Sequence, residues 1–239
     1  MAQDKLGSLN SIGIFGINGR LGTAVREAAT AKDLNVVLTA DRSGIYYGTT
    51  YPQVIIDATR QGDCFSLLEC ARKCEAAVIM ASPYAESKSQ CLINEYAKTN
   101  KILIAENLSF GSYMQMSFAM HIEKWAEAMG LSFEIIDRHP RTKSAEKSET
   151  AKKMERILES NNYRTNVHVL RYGQPVSDHD LMVFHGREQL LIRHSVHDIS
   201  VPAIAAINMA QWLMGKESGF LYRAGDYYKD VAMDRPAWR

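Results

Sequence analysis

The chain has 239 residues, 46% of them hydrophobic, enough for a substantial core in one or two domains. Its 28 Lys and Arg against 27 Asp and Glu leave a formal charge of +1 spread along the sequence, which excludes the basic footprint of a nucleic-acid binder and a basic membrane-surface helix. No apolar run approaches the roughly 20 residues that span a bilayer, and "MAQDKLGSLNS" lacks the basic and apolar regions of a secretory leader, so a cytoplasmic protein is expected.

Taken in chain order, "SIGIF" (Ser11 to Phe15) is a short apolar run, followed by "GINGRLG" and then by "TAVREAATAKD". In that last stretch Ala24, Val25, Ala28 and Ala29 recur at helical spacing, so the reading is strand, tight turn, helix. A second strand, "NVVLTA", ends at Asp41, and a third, "QVIIDAT", follows a brief connection through "GIYYGTTYP". Alternation continues through "CFSLLECARKCE" (helix), "AAVIMAS" (strand), "SKSQCLINEYAKTN" (helix) and "KILIAEN" (strand). Strands separated by helices of this length imply βαβ units and a parallel sheet covered on both faces. A helix from Ser117 to Met129 leads to the strand "SFEIID", after which "NVHVLRYG", "DHDLMVFHG" and "EQLLIRHSVHD" are strand-like with only turn-sized gaps. Consecutive strands predict a mixed or antiparallel sheet in a second domain. The helix "PAIAAINMAQWLMGK" closes the pattern. Cys64, Cys70, Cys74 and Cys91 form no CxxC pair and have no His at metal-ligand spacing, so they read as reduced, mostly buried thiols and no metal is expected.

In "GINGRLG" the glycines are Gly16, Gly19 and Gly22. The first permits the tight turn, the second lets backbone amides approach a pyrophosphate, and the third lets helix and strand pack closely. The spacing is GxxGxxG rather than GxGxxG, so an ordinary βα turn is the competing reading. Asp41 breaks the tie, because it ends the second strand where an acidic residue binds ribose hydroxyls. The adjacent Arg42 can stack on adenine or pair with a 2′-phosphate, which leaves NADH and NADPH both open.

With "IGIFGINGRLG", "VIIDATR", "AENLSFG", "FEIIDRHPRTK", "VLRYGQPVSDHD", "IRHSV" and "AINMAQWLMGKESGFLY" in this order, the chain resembles the 4-hydroxy-tetrahydrodipicolinate reductase (dihydrodipicolinate reductase) family over almost its whole length, as a short and divergent member. The resemblance implies an α/β fold: an N-terminal Rossmann-like dinucleotide-binding domain, residues 1–109 with a C-terminal helical region at about 215–239, and a C-terminal α+β domain, residues 110–214, built on an open mixed sheet. It further implies a homotetramer formed through that sheet and hydride transfer from NADH or NADPH to an unsaturated nitrogen heterocycle. Carried over residue by residue, coenzyme contacts fall on Gly16, Ile17, Asn18, Gly19, Arg20 and Leu21, on Asp41 and Arg42, on Met80, Ala81 and Ser82, and on Ala105, Glu106, Asn107 and Leu108. His139 matches the family's proton donor and Lys143 its catalytic lysine. Those residue types suit the chemistry: the electron density left by hydride addition must be protonated, and an ammonium stabilises the charge as it builds. Arg141, Ser148, Glu149 and Thr150 fall at the substrate-binding positions. His179 and His194 match family histidines that bind no metal, so they read, with His185 and His197, as structural or interface residues.

The family pattern is broken in four places. Pro140 stands for a second His, Glu149 for the glycine of a Ser-Gly-Thr turn, Ile199 for a frequent Arg, and Met80 for a glycine beside the nicotinamide. Two unit charges 4 Å apart repel by about 4 kcal/mol at an effective dielectric near 20, so Glu149 is expected to disfavour a dicarboxylate. The reading is therefore an NAD(P)H-dependent reductase whose cyclic imine or dihydropyridine-like substrate differs from dihydrodipicolinate, in a specialised biosynthetic pathway. The alternatives are the ordinary lysine-pathway enzyme and a non-catalytic dinucleotide-binding subunit.

Overall fold

The computed structural model describes residues 8–60, 62–81, 87–105, 107–143, 146–159, 165–173 and 177–233, and the chain divides into two compact units, residues 1–108 with 200–239 and residues 109–199.

The first unit is built on a seven-stranded sheet. Its strands are β1 (Ser11–Phe15), β2 (Asn35–Asp41), β3 (Gly44–Tyr47), β4 (Val54–Asp57), β5 (Ala77–Met80), β6 (Ile102–Ile104) and β11 (Leu221–Arg223), in the order β11-β6-β5-β4-β1-β2-β3. All neighbours pair in parallel except β3, which returns antiparallel along β2. Strands β4, β5 and β6 are buried at every residue, which is why "VIID", "AVIM" and "ILI" carry unbroken apolar runs instead of an alternating pattern. On one face Phe15, Ile55, Val78 and Met80 meet α2 (Cys64–Cys74) and α3 (Ser87–Ala97). Helix α1 (Arg20–Thr30) packs on β1 and β2 and against α7 (Ser200–Met214), which also contacts β4 and β5. Helix α8 (Ala224–Met233) follows β11. Cys64, Cys70 and Cys74 are buried in this unit, whereas Cys91 is exposed.

Two sequence expectations change here. The connection "GIYYGTTYP" contains a strand, β3, whose two outer residues are exposed and which is too short to show a period. The boundary expected near residue 214 falls at Ile199/Ser200, because α7 buries Ala203, Ala206, Ile207 and Ala210 within the first unit.

The second unit carries a four-stranded mixed sheet in the order β10-β9-β7-β8, from β7 (Ser132–His139), β8 (Thr165–Arg171), β9 (Ser177–His185) and β10 (Glu188–Val196). β7 pairs in parallel with β8 and antiparallel with β9. Phe133 and Ile135 on β7 and Leu181 and Val183 on β9 share one face and pack against α4 (Phe110–Ile122), α5 (Ala126–Met129) and α6 (Glu149–Leu158). The helix expected from Ser117 thus begins earlier, at Phe110, and is interrupted by a 3-10 turn at Glu123–Trp125. The other face of the sheet presents Ile136, Arg138, Asp180, Met182, Leu191 and Arg193, alternating with the core residues as the period of two requires. No helix among the described residues is long and apolar enough to cross a membrane.

Candidate active site

At the switch point of the first sheet the chain runs outward from β1 through β2 and β3, then crosses to β4 and proceeds the other way. In open α/β sheets ligands bind beyond the carboxyl ends of the strands at this point. Gly16 follows β1 at φ 79°, its amide donating to the Ala40 carbonyl at 2.8 Å. A Cβ on Gly22 would lie 2.1 Å from the Gly16 carbonyl oxygen, so only glycine lets α1 start this close to the strand. Gly19 is the N-cap of α1, with no side-chain cap and no acidic residue in the first turn. Backbone amides and the positive helix end are therefore presented without a competing carboxylate, which fits a pyrophosphate.

At the end of β2 the Asp41 carboxylate is fixed by two donors. Asn18 Nδ2 reaches its Oδ2 at 2.7 Å and the Ser43 amide reaches its Oδ1 at 2.8 Å. Arg42, the next residue, and Arg20 are exposed, while Ile17 is buried and Leu21 half-buried. Asp57, at the end of β4, is fully buried and accepts from the Thr59 amide at 3.0 Å and its hydroxyl at 2.6 Å. Sequence reasoning passed over this pair, although an acid ending an otherwise apolar strand was a usable signal.

Met80 corrects an expectation. Its side chain is fully buried in the core beneath α2 and α3, so it does not stand beside a coenzyme ring, and anything this position offers a ligand comes from its backbone. Ala81 follows, half-buried, its amide donating to the Asp57 carbonyl at 3.2 Å. Ala105 donates to the Met80 carbonyl at 2.8 Å, and the Leu108 carbonyl accepts from the Tyr228 hydroxyl at 2.5 Å. Asn107 is half-buried. Ser82 and Glu106 lie outside the described residues.

In the second unit the site gathers at the end of β7. "HPRTK" does not continue as one extended face: the chain turns at Pro140, whose carbonyl accepts from the Lys143 amide at 3.0 Å. Lys143 Nζ is thereby carried back to 2.9 Å from His139 Nε2, while Arg141 is left exposed. His139 is 4% exposed. Two residues earlier on the same face, Asp137 is fully enclosed. Its Oδ1 lies 2.9 Å from His139 Nε2 and 3.1 Å from His179 Nε2. Its Oδ2 accepts the Ser148 amide at 2.9 Å and stands 3.4 Å from Arg171 Nη2. Burial pushes the Asp137 carboxyl up, and the two imidazoles with the Ser148 amide and hydroxyl more than reverse this, holding it well below the usual carboxylate range. Burial lowers the pKa of His179 against the pull of Asp137.

Asp137, His139 and His179 each offer one ligand atom within 4.8 Å of the other two, separations that a metal ion also uses. Charge argues for a proton there instead: Arg171 and Lys143 already bring two cations to a group with one carboxylate.

Ser148 caps α6, its hydroxyl accepting from the Ala151 amide at 3.1 Å and lying 3.0 Å from His179 Nε2. This side chain is committed to the scaffold. Thr150 is half-buried in the first turn. Glu149 corrects the second expectation. Its side chain is 60% exposed and runs along α6 to Lys152 at 2.9 Å, so its charge is turned outward and partly offset. The repulsion expected from a carboxylate aimed at an anion is correspondingly reduced. Sequence reasoning did not single out Asp137 or Arg171. Strand periodicity alone could have flagged Asp137, whereas Arg171 arrives from β8 and had no local signal.

A glycine-lined phosphate cradle and a buried proton-handling group are the two parts that reductive chemistry with a nicotinamide coenzyme needs, and the class this chain represents is the NAD(P)H-dependent oxidoreductases. Models of the dihydrodipicolinate reductase N-terminus and C-terminus match residues 10–108 and 111–227. The chain belongs to the dihydrodipicolinate reductase family. Among curated relatives, the 4-hydroxy-tetrahydrodipicolinate reductase of Akkermansia muciniphila is 29% identical, covering 90% of this chain and 96% of that protein. The same-named protein of Methanospirillum hungatei is 24% identical over 86% of this chain and 94% of its own. Among solved structures, the dipicolinate-bound dihydrodipicolinate reductase from Paenisporosarcina sp. TG-14 superposes with a TM-score of 0.67 at 14% identity, covering 90% of this chain and 98% of that one.

Proposed function

We propose that the chain uses NADH or NADPH to reduce an unsaturated nitrogen heterocycle, and the observation that carries this reading is the Lys143–His139–Asp137 arrangement at the end of β7. Bound coenzyme supplies the hydride. His139 supplies the proton taken up by the electron pair that hydride addition displaces from C=N or C=C. Lys143 holds the negative charge of the ring, and the N-terminus of α6 adds its positive end nearby. The turn at Gly16 and Gly19 holds the pyrophosphate and Asp41 the ribose hydroxyls, with Gly22 letting α1 start close to the strand and Asn18 fixing the carboxylate.

Two substrate readings have specific support. The relatives' name and the outward turn of Glu149 favour a dihydrodipicolinate-type ring with two carboxylates, as in the lysine pathway. Pro140, which lacks any donor, and Ile199 favour a ring with fewer carboxylates in a specialised pathway. Steady-state coenzyme oxidation with dihydrodipicolinate and with cyclic imines bearing one carboxylate or none separates the two. On the first reading Glu149→Gly changes dihydrodipicolinate turnover less than about threefold, consistent with a screened surface charge. A large gain with the dicarboxylate, together with loss on another ring, establishes the second. We further propose that the open face of the second unit's sheet forms the interface of a homotetramer.

A further inference from the structure

Asp137 is fully enclosed beside His139, and the reductive step as described assigns tasks to His139 and Lys143 but none to this carboxylate. Every neighbouring group constrains it: Ser148 from the N-terminus of α6 and Arg171 from β8 hold Oδ2, and His179 from β9 and His139 from β7 stand against Oδ1. Among the described residues Oδ1 receives no aligned hydrogen bond, although it has no exposure to water. The His139 and His179 rings meet edge to face at 5.3 Å.

Two facts about donors decide what Oδ1 is for. An ammonium has no lone pair, so Lys143 bonds His139 Nε2 only when that nitrogen carries no proton. A carboxylate only accepts, so Asp137 bonds the same nitrogen only when it does. Both partners stand 2.9 Å from Nε2, but only Lys143 is placed for a hydrogen bond, so a bond to Oδ1 requires the ring to turn toward it. We propose that Asp137 is a positioning residue for the proton-delivering His139: its Oδ1 receives the Nε2 proton of the imidazolium and fixes the ring while the other proton is delivered. The proposal rests on the reductive reading given above. In the step, a ring carbon gains a hydride, the displaced pair takes one imidazolium proton, and the imidazole left neutral keeps its Nε2 proton on Asp137. Solvent returns the missing proton, and the two electrons of the hydride would come from the reduced nicotinamide coenzyme that the glycine turn would hold. The Ser148 amide, at 2.9 Å, and Arg171, at 3.4 Å, aim the carboxylate through Oδ2 and leave Oδ1 to the two imidazoles.

The test is 15N–1H NMR of histidine-labelled protein at a pH where His139 is protonated, on wild type, Asp137→Asn and Asp137→Glu. Wild type should show a strongly deshielded, slowly exchanging Nε2–H signal for His139. Asp137→Asn should move it upfield and speed its exchange, and Asp137→Glu should recover it in part. In turnover, Asp137→Asn should lower kcat by roughly 10²-fold, in the range of general-acid contributions, with KM little changed, and Asp137→Glu should restore part of the loss. An unchanged Nε2–H signal in folded Asp137→Asn overturns the proposal. So does a protonated His139 in wild type without a deshielded Nε2–H, whatever the variants' folding. If no ring is reduced by wild type, the reductive reading fails, while the NMR comparison, which needs no turnover, still decides the contact.

Discussion

Asp41 and Asp137 are both carboxylates near the carboxyl end of a strand, and their surroundings give them opposite tasks. Asp41 is half-exposed and held by Asn18 and Ser43, so it remains able to accept from ribose hydroxyls. Asp137 is enclosed and offers its oxygens only to the protein. For Asp41 the consequence concerns coenzyme choice. NADH presents a 2′-hydroxyl that the carboxylate binds, whereas NADPH presents a phosphate that it repels. Asp41→Ala should therefore weaken NADH by roughly tenfold or more, since a hydrogen bond to a charged group contributes about 1.5–3 kcal/mol and about 1.4 kcal/mol is tenfold, and weaken NADPH less. Calorimetric titration with each coenzyme measures this, and equal losses for both would place Asp41 outside the ribose site.

Across β7, β9 and β10, Arg138, Asp178, Asp180 and Arg193 form one ion network on the open face of the second sheet. Asp180 lies between the two guanidinium groups, with Arg193 Nε at 2.7 Å and Arg138 Nη2 at 2.5 Å. Burial pushes its pKa up, but Arg193 and Arg138 more than compensate and bring it down to about 2. A folded-state pKa below the unfolded value near 3.9 means that this group's stabilisation is fully present above about pH 4 and fades as the pH falls toward 2. Urea unfolding between about pH 5 and 2 should show this loss, and Asp180→Asn should start less stable and lose less over the same range. An acid dependence identical in the variant would contradict the role given to Asp180.

At this same scale the limits of the sequence become clear. Parallel strands buried on both faces announce themselves, and "VIID", "AVIM" and "ILI" were readable without any partner. β3 was not, because it has four residues, follows a two-residue loop after Asp41, and leaves its last two side chains exposed. The place of α7 depends on contacts with α1, far back in the chain, which no local pattern encodes. The site divides similarly: His139 and Lys143 were legible as a motif, while the fold-back at Pro140 that joins them, and the arrival of Arg171, belong to tertiary structure.

For the molecule as a whole, the open face carries exposed Leu170 and Leu191 and half-buried Ile136, Met182 and Phe184 around the ion network. Apolar side chains of this kind, on the sheet face opposite the α4–α6 core among the described residues, are the surface that a second copy would bury. Multi-angle light scattering at micromolar concentration should report a tetramer, and a monomer would contradict the proposed interface. The function itself is tested most directly by following the absorbance of NADH and NADPH in the presence of dihydrodipicolinate and the cyclic-imine panel, with wild type and His139→Gln. Wild type should oxidise coenzyme with at least one of these rings, and His139→Gln should be slower by roughly 10²–10⁴-fold while binding coenzyme as tightly. Coenzyme that binds but is never oxidised, with any ring, would mean a dinucleotide-binding subunit without catalysis.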